Sequence, residues 1–190
     1  MRPFLRQLVP AALLCAAIAC NNTTAPSTNA TFTVNMRDSP FTDAKAVFVT
    51  FSALSAHLAG GASLPVPFAG GAASRTCDLK KLTTAQDVLG TGPLTAGHYT
   101  QVRLVVASAT IYFDNPSSGT SACGSALTPP AGRNAPVAVP SAEVLLNREF
   151  DLTTNTTTTM LLDFDGDQSI KQTGNGAYLM TPVIGIVSVQ

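Results

Sequence analysis

Apolar and polar residues alternate along most of the chain from Ala30 onward, and this period of two is the pattern of β-strands that bury one face. The first predicted strand places Phe32, Val34 and Met36 on one side, and the longest predicted strand occupies Ala46–Leu58. Turn-forming residues separate the predicted strands at short intervals, as in proteins built from two packed sheets. The sequence therefore predicts an all-β fold, a two-sheet antiparallel β-sandwich of about eight or nine strands.

Three segments interrupt the alternation. Thr83–Gln86 resembles a capping box and Gly90 suits a helix end, so one short helix is expected there. Asp114–Pro136 is rich in Ser, Gly, Pro and Ala and is expected to be a long surface loop. Asn175 and Gly176 predict a hairpin turn before the last strand.

The chain begins with the pattern of a secretory signal peptide, predicted at residues 1–19. Arg2 and Arg6 precede an apolar run from Leu8 to Ala19. This run is shorter than the about 20 residues that a membrane-spanning helix needs, so a cleaved signal is a stronger interpretation than a permanent span.

A lipid anchor is predicted at the end of the signal peptide. Ala17, Ile18, Ala19 and Cys20 resemble the lipobox of bacterial lipoproteins, in which small residues precede an acylated Cys. Cys20 is therefore the predicted lipidation site, with ordinary cleavage nearby as the alternative. Several acyl chains on one Cys hold a protein stably at a membrane. We therefore expect the mature protein to be located in the bacterial cell envelope, and at the outer membrane if the host has two membranes.

The mature chain divides into two predicted parts. Residues 20–30, the lipidated Cys and a polar stretch without apolar periodicity, are predicted to be a flexible tether. Residues 31–190 are predicted to be a single β-sandwich domain. Cys77 and Cys123 would lie in an oxidising compartment and are the candidate disulfide, with two unlinked thiols as the alternative.

The charge balance argues against a nucleic-acid partner. The chain has 11 Lys plus Arg and 11 Asp plus Glu, and no basic cluster. A nucleic acid would require a basic face to meet its phosphates. The expected partners are instead the membrane, through the N-terminal lipid, and a carbohydrate or envelope protein.

One acidic segment, residues 163–167, suits a metal ion. Strand alternation places Asp163 and Asp165 on one face, and the following glycine lets Asp167 converge with them. Three carboxylates at this spacing suit Ca²⁺, the one cofactor that the sequence suggests. The alternatives are a solvated turn or an ion pair from Arg103 to Asp163 or Asp165.

No catalytic residue is predicted. His57 and His98 are the only two histidines, and neither has an HxxxH or HxH partner. No G-x-S-x-G nucleophile elbow occurs. A hydrolase that assembles one of these histidines with a Ser and an Asp in space is the alternative function.

Three segments of the predicted strands carry a resemblance: Ala46–Ala53, Leu94–Val106 and Leu161–Asp165. Together they resemble the bacterial lipoprotein family called domain of unknown function 4382, over most of Thr31–Ile184. The resemblance implies an exported β-sandwich module without an established activity. Leu94–Tyr99 is also similar to the turn into a strand of transthyretin-like domains, so we expect a transthyretin-like or immunoglobulin-like sandwich.

These expectations combine into one predicted function. The chain is expected to be a lipid-anchored, non-catalytic β-sandwich lipoprotein of the envelope. It would serve as a binding or structural module for a carbohydrate or protein ligand.

Overall fold

The computed structural model describes residues 28–39 and 42–190. The predicted signal peptide, Cys20 and most of the tether lie outside the described residues. In the part of the chain that is described, no helix combines the length and apolar character needed to cross a bilayer.

The described residues form thirteen strands and two short α-helices. In chain order these are β1 (Asn29–Ser39), β2 (Ala46–Leu58), β3 (Ser63–Pro65), β4 (Arg75–Asp78), α1 (Leu79–Leu82), β5 (Asp87–Thr95), β6 (Gly97–Tyr112), β7 (Cys123–Gly124), β8 (Asn134–Ala138), β9 (Glu143–Leu152), β10 (Thr157–Asp165), α2 (Gly166–Ser169), β11 (Ile170–Gln172), β12 (Tyr178–Met180) and β13 (Ile184–Val189), with a 3-10 turn at Ala69–Gly71. The first strand thus begins at Asn29, inside the stretch predicted as tether.

The strands form two sheets. The four-stranded sheet has the order β13-β10-β1-β5. The nine-stranded sheet has the order β11-β12-β8-β6-β2-β4-β7, with β3 paired to β2 and β9 paired to β6. The predicted sandwich of two sheets is confirmed, but its pairing is mixed, since β1 runs parallel to β10 and β12 runs parallel to β8.

Aromatic rings join the inner faces of the two sheets. Phe32 of the four-stranded sheet stacks on Phe150 of the other at 5.1 Å between ring centroids, and Phe150 stacks in turn with Tyr99 at 5.4 Å. Phe51 meets Phe164 edge-on at 6.4 Å. The alternation of the sequence correctly predicted this core, because the inward residues of β1 and of the middle of β6 are buried: Phe32, Val34, Met36, Val102, Leu104 and Val106.

The predicted helix at Thr83–Gln86 is wrong by one turn. The helix α1 comes earlier, because the Asp78 carboxylate accepts a hydrogen bond from Lys80 N at 3.1 Å and caps its first turn. Thr83, expected as the N-cap, stands at the C-cap, where its hydroxyl donates to Lys80 O at 2.9 Å. Gly90 lies in β5. The second helix, α2, follows Asp165 and was not predicted.

The long segment Asp114–Pro136 is more ordered than its composition predicts. It contains β7 and the start of β8. Cys77 and Cys123 form a disulfide between β4 and β7. Asp87 Oδ2 accepts from Cys123 N at 2.8 Å, which adds a second attachment for the same strand. The segment is therefore attached to the nine-stranded sheet through the disulfide and to the four-stranded sheet through Asp87.

The sandwich has two distinct ends. At the tether end, where β1 begins, Thr28 O accepts from Ala96 N at 2.8 Å and Asn29 O accepts from Asn155 N at 3.0 Å. At the far end, β1 and β6 finish. A strand of 11 residues such as β1 separates the two ends by about 35 Å, at about 3.3 Å for each residue.

Candidate functional site

A cleft of about 590 Å³ opens at the far end of the sandwich. Its lining combines two aromatic rings, one guanidinium, one amide and one carboxylate: Asp43, Phe113, Arg133, Asn134, Ala135, Gly176 and Tyr178. We call it the Phe113–Tyr178 cleft.

The strand order places the two rings on either side of β8. Phe113 directly follows β6, and its backbone N donates to Arg133 O at 3.1 Å. Tyr178 begins β12 and pairs with Val137 of β8. The two rings lie 5.8 Å apart with an interplanar angle of 41°. Both side chains are half-buried, so each ring keeps a surface that a ligand can contact.

Arg133 is fixed in orientation by its neighbour Asp114. Its Nε and Nη2 donate to Asp114 Oδ1 at 3.0 and 2.9 Å, and its backbone N donates to Asp114 Oδ2 at 2.7 Å. The backbone hydrogen bond, followed by the side-chain hydrogen bond, lowers the pKa of Asp114 below its usual value. The guanidinium carbon lies 5.9 Å from the centroid of the Phe113 ring. The guanidinium is thus held on one side by Asp114 and lies beside the Phe113 ring, while the Arg133 side chain stays 80% exposed.

Gly132 makes room for this arrangement. A Cβ at this position would lie 2.7 Å from Asp114 Oδ2, and its φ of +104° is one that residues with side chains rarely adopt. A glycine here is therefore required for the carboxylate to reach Arg133.

The hairpin turn between β11 and β12 forms one wall of the cleft. Thr173 N donates to Ala177 O at 2.8 Å, and Asn175 Oδ1 accepts from Ala177 N at 3.3 Å. Gly176 has a φ of +83°. The hairpin predicted from Asn175 and Gly176 is confirmed, and it presents Gly176 to the cleft.

The chemistry of the cleft suits an uncharged ligand with hydroxyl groups. Aromatic rings pack against apolar faces, while Asn134 and Asp43 offer hydrogen-bond donors and acceptors. The positive charge of Arg133 is paired with Asp114, and Asp43 adds a negative charge. An anionic ligand would therefore find little net attraction here.

The three aspartates predicted to bind calcium are not gathered around one point. Asp163 Oδ2 accepts from Arg37 Nη2 at 2.9 Å, and Asp165 Oδ1 and Oδ2 accept from the backbone and side chain of Gln168. Asp167 is exposed in the first turn of α2. Across the described residues, no group of three or more His, Cys, Asp or Glu is placed to hold a metal ion.

The ion pair of Arg103 with Asp163 or Asp165, the alternative to a calcium site, is not formed. Arg103 lies on the nine-stranded sheet and pairs with Glu143 at 2.6 Å, whereas both aspartates belong to the four-stranded sheet. The partner of Asp163 is Arg37 of the neighbouring strand β1.

The described contacts bring neither histidine together with both a Ser and a carboxylate. His57 Nδ1 contacts Ser63 Oγ at 3.2 Å, and His98 Nδ1 contacts Asp151 Oδ1 at 2.8 Å. Each therefore has one partner of a Ser-His-Asp arrangement, and the described contacts of neither supply both. Both lie outside the lining of the Phe113–Tyr178 cleft.

The residues of the cleft were not predicted as a site. Phe113 continues the apolar alternation of β6, which is the pattern of a core residue and not of a binding site. One signal was present, because Arg133 is the only charged residue between positions 115 and 142. An isolated charge beside a glycine in such a polar, uncharged segment indicates a specific partner, which is Asp114.

The chain matches one family model, described as "Domain of unknown function (DUF4382)", over residues 29–182. No curated protein and no solved structure matches it. The start of the matched region coincides with the first residue of β1.

Proposed function

The chain belongs to the DUF4382 family, and from this premise we propose that it is a non-catalytic, lipid-anchored module of the bacterial cell envelope that binds carbohydrate. The observation that carries the proposal is the Phe113–Tyr178 cleft, with its aromatic rings and its oriented guanidinium. A site of this size with a few oriented polar groups is the usual form of a small-molecule binding site.

The charges of the cleft favour neutral sugars. Arg133 directs its Nε and Nη2 toward Asp114, which leaves its remaining N–H groups as hydrogen-bond donors rather than as an unpaired charge. A sugar that packs an apolar ring face on Tyr178 would present its hydroxyls to Asn134 and Asp43. A protein ligand is the alternative within this proposal, and the glycan screen described below distinguishes the two, because a protein-binding cleft would bind no glycan.

Support for the anchor comes from the sequence that precedes the domain. Cys20 follows small residues at the end of an apolar run. Eight residue steps separate Cys20 from Thr28, where the described chain begins, and a flexible coil of that length would span roughly 14 to 17 Å. We propose that the domain stands close to the membrane, on the outer membrane if the host has two.

The binding experiment compares the purified protein with two matched variants. The wild-type protein is first screened on an array of neutral and acidic glycans, and the best ligand is then titrated by calorimetry. We expect Tyr178→Ala to weaken binding at least tenfold, because it removes one ring of the pair. The control variant Leu145→Ala removes a side chain that is 49% exposed and lies outside the cleft. The affinity of this variant for the glycan should therefore equal that of the wild type. Absence of binding to every glycan would overturn the carbohydrate proposal.

A separate experiment tests the anchor. Cells that produce the protein are grown with a labelled fatty acid, and the purified protein is examined by mass spectrometry. We expect label on the wild type and on Cys15→Ala, and none on Cys20→Ala. Label that persists on Cys20→Ala would contradict the assignment of Cys20.

A third experiment tests whether the protein is non-catalytic, by asking whether it hydrolyses the sugar that it binds. If the ligand identified above is incubated with the protein and shorter sugars accumulate, the hydrolase alternative is correct. His57→Ala and His98→Ala would then show which histidine takes part. Stable ligand over many hours would agree with a binding module.

A further inference from the structure

Threonines line the outer face of the four-stranded sheet on three adjacent strands. Thr31 and Thr33 of β1 stand opposite Thr157 and Thr159 of β10, and Thr33 also stands opposite Thr91 of β5. We call this set the threonine face. All five side chains are exposed or half-exposed, because the alternate residues of the same strands fill the core.

The hydroxyls of the threonine face are held at regular spacings. Neighbouring strands lie about 4.8 Å apart, and alternate residues of one strand lie about 6.6 Å apart. The hydroxyls of Thr33 and Thr91 are hydrogen-bonded at 2.8 Å. Since β-branched side chains are stiff at χ1, the positions of these hydroxyls vary little.

A second cleft continues the threonine face toward the far end. It has a volume of about 390 Å³. Arg37 and Leu161, on the same outer face of β1 and β10, form one side. The loop between α1 and β5 forms the other side and contributes Thr83, Thr84 and Gln86. We call it the Arg37 cleft, and its polar groups extend the row of hydroxyls.

The charges of this surface define the ligand that fits. No residue of the threonine face ionises near neutral pH, and the Arg37 guanidinium is paired with Asp163 at 2.9 Å. A surface that is rich in hydroxyl and amide groups and has no unpaired charge complements a neutral polyhydroxyl chain. Its one cation, Arg37, is already paired, so a nucleic acid or an acidic polysaccharide would find no unpaired cationic partner on it.

We infer that the threonine face and the Arg37 cleft together bind a neutral, extended polysaccharide chain. The inference deepens the proposed function, because it gives the module a second surface for carbohydrate on a different sheet from the Phe113–Tyr178 cleft. The cleft at the far end takes a short segment of sugar, whereas the threonine face offers repeated contacts along a chain. Two surfaces on one molecule would raise its retention on a polymer beyond that of either surface alone.

The test measures co-sedimentation of the purified full-length protein with insoluble chitin and with insoluble cellulose. The variant Thr33→Val/Thr159→Val removes two hydroxyls and keeps the β-branched shape. The control Thr50→Val/Thr76→Val makes the same change in a threonine pair on the nine-stranded sheet, whose hydroxyls lie 2.9 Å apart. We expect the wild type and the control to sediment with at least one polymer, and Thr33→Val/Thr159→Val to lose at least tenfold in bound fraction.

Two results would overturn the inference. One is equal sedimentation of both double variants, and the other is sedimentation of none of the proteins with either polymer. Tyr178→Ala separates this inference from the proposed function. If it loses binding to soluble sugars but still sediments, both surfaces bind carbohydrate. If Thr33→Val/Thr159→Val sediments like the wild type while Tyr178→Ala does not, the cleft at the far end alone explains adsorption and the inference is wrong.

Discussion

The hydroxyl of Ser117 donates a hydrogen bond of 2.5 Å to Asp78 Oδ2, across 39 positions of the sequence. The other oxygen, Oδ1, accepts from Val47 N and Lys80 N, each at 3.1 Å. Asp78 is only 1% exposed. One buried carboxylate therefore joins β2, the N-terminus of α1 and the long segment that follows β6.

Substitution Asp78→Ala is expected to destabilise the protein by about 3 to 5 kcal/mol, because it leaves buried donors without an acceptor. Ser117→Ala removes one of the three hydrogen bonds and should cost about 1 kcal/mol. Urea unfolding followed by circular dichroism gives both values. Equal stabilities of the two variants would show that the backbone contacts of Asp78 contribute nothing.

Loss of the disulfide is expected to lower the free energy of unfolding by about 4 kcal/mol on the chain-entropy model, because its cysteines are 46 positions apart. The variant Cys77→Ala/Cys123→Ala should therefore unfold at a lower urea concentration than the oxidised wild type. Reductant should lower the midpoint of the wild type and leave that of the variant unchanged. A variant as stable as the oxidised wild type would contradict the prediction.

Stability should fall as the pH rises from about 4 to about 8, because of Asp38. The pKa of Asp38 is raised from 3.8 to about 8, and burial is the largest cause. The negative charges of Asp163 and Asp165 also raise the pKa. The hydrogen bond from Gly166 N and the positive charge of Lys80 lower it, but by less. The raised value means that the folded state retains a proton that the unfolded state releases. The contribution of Asp38 is therefore fully present below pH 3.8 and is lost as the pH approaches 8.

The isosteric variant Asp38→Asn tests this dependence. Gly166 N donates to Asp38 Oδ1 at 3.2 Å, and Oδ2 has no partner among the described residues, so an amide can replace the neutral carboxyl. We expect the variant to be more stable than the wild type at pH 8, with the difference shrinking toward pH 4. Thermal unfolding at several pH values measures this, and parallel pH profiles for the two proteins would refute it.

The substitution Gly90→Ala is expected to lower the free energy of unfolding by about 1 to 3 kcal/mol, because the added methyl group overpacks the core. A Cβ at this position would lie 2.7 Å from Leu54 Cδ2 and 2.8 Å from the backbone oxygen of Pro67. Gly174→Ala is the matched control, because nothing lies within 4 Å of its Cβ position, and its stability should change by less than about 0.5 kcal/mol. Chemical denaturation of both variants is the measurement. A Gly90→Ala protein as stable as the control would mean that the segment around Pro67 moves aside freely.

The sequence predicted the elements whose side chains alternate between core and solvent. The inward residues of β1 follow from the period of two alone, because the core selects apolar residues at every second position. The bounds of β2 were also predicted, but a register shift near Phe51 moves its inward face from Ala53 to Leu54. The Tyr99 hydroxyl donates to Thr95 O at 2.7 Å, only four residues away in the sequence. Features of this kind can be predicted because all the residues that determine them lie within a few positions of one another in the sequence.

Features that depend on distant partners were not predictable in the same way. The cap of α1 was placed at Thr83 because the capping-box pattern is local, whereas Asp78 gains its role from Val47 and Ser117, far away in sequence. The Phe113–Tyr178 cleft likewise depends on β8 lying between β6 and β12. No periodicity in the sequence encodes that order of strands.

The single passage of β1 from the tether end to the far end also sets a distance. The Phe113–Tyr178 cleft lies about 35 Å from the point where the tether enters the sandwich. If a lipid on Cys20 held that point near the bilayer, the rigid sandwich would carry the cleft outward by up to this length. The cleft would then reach polymers beyond the layer of lipid headgroups.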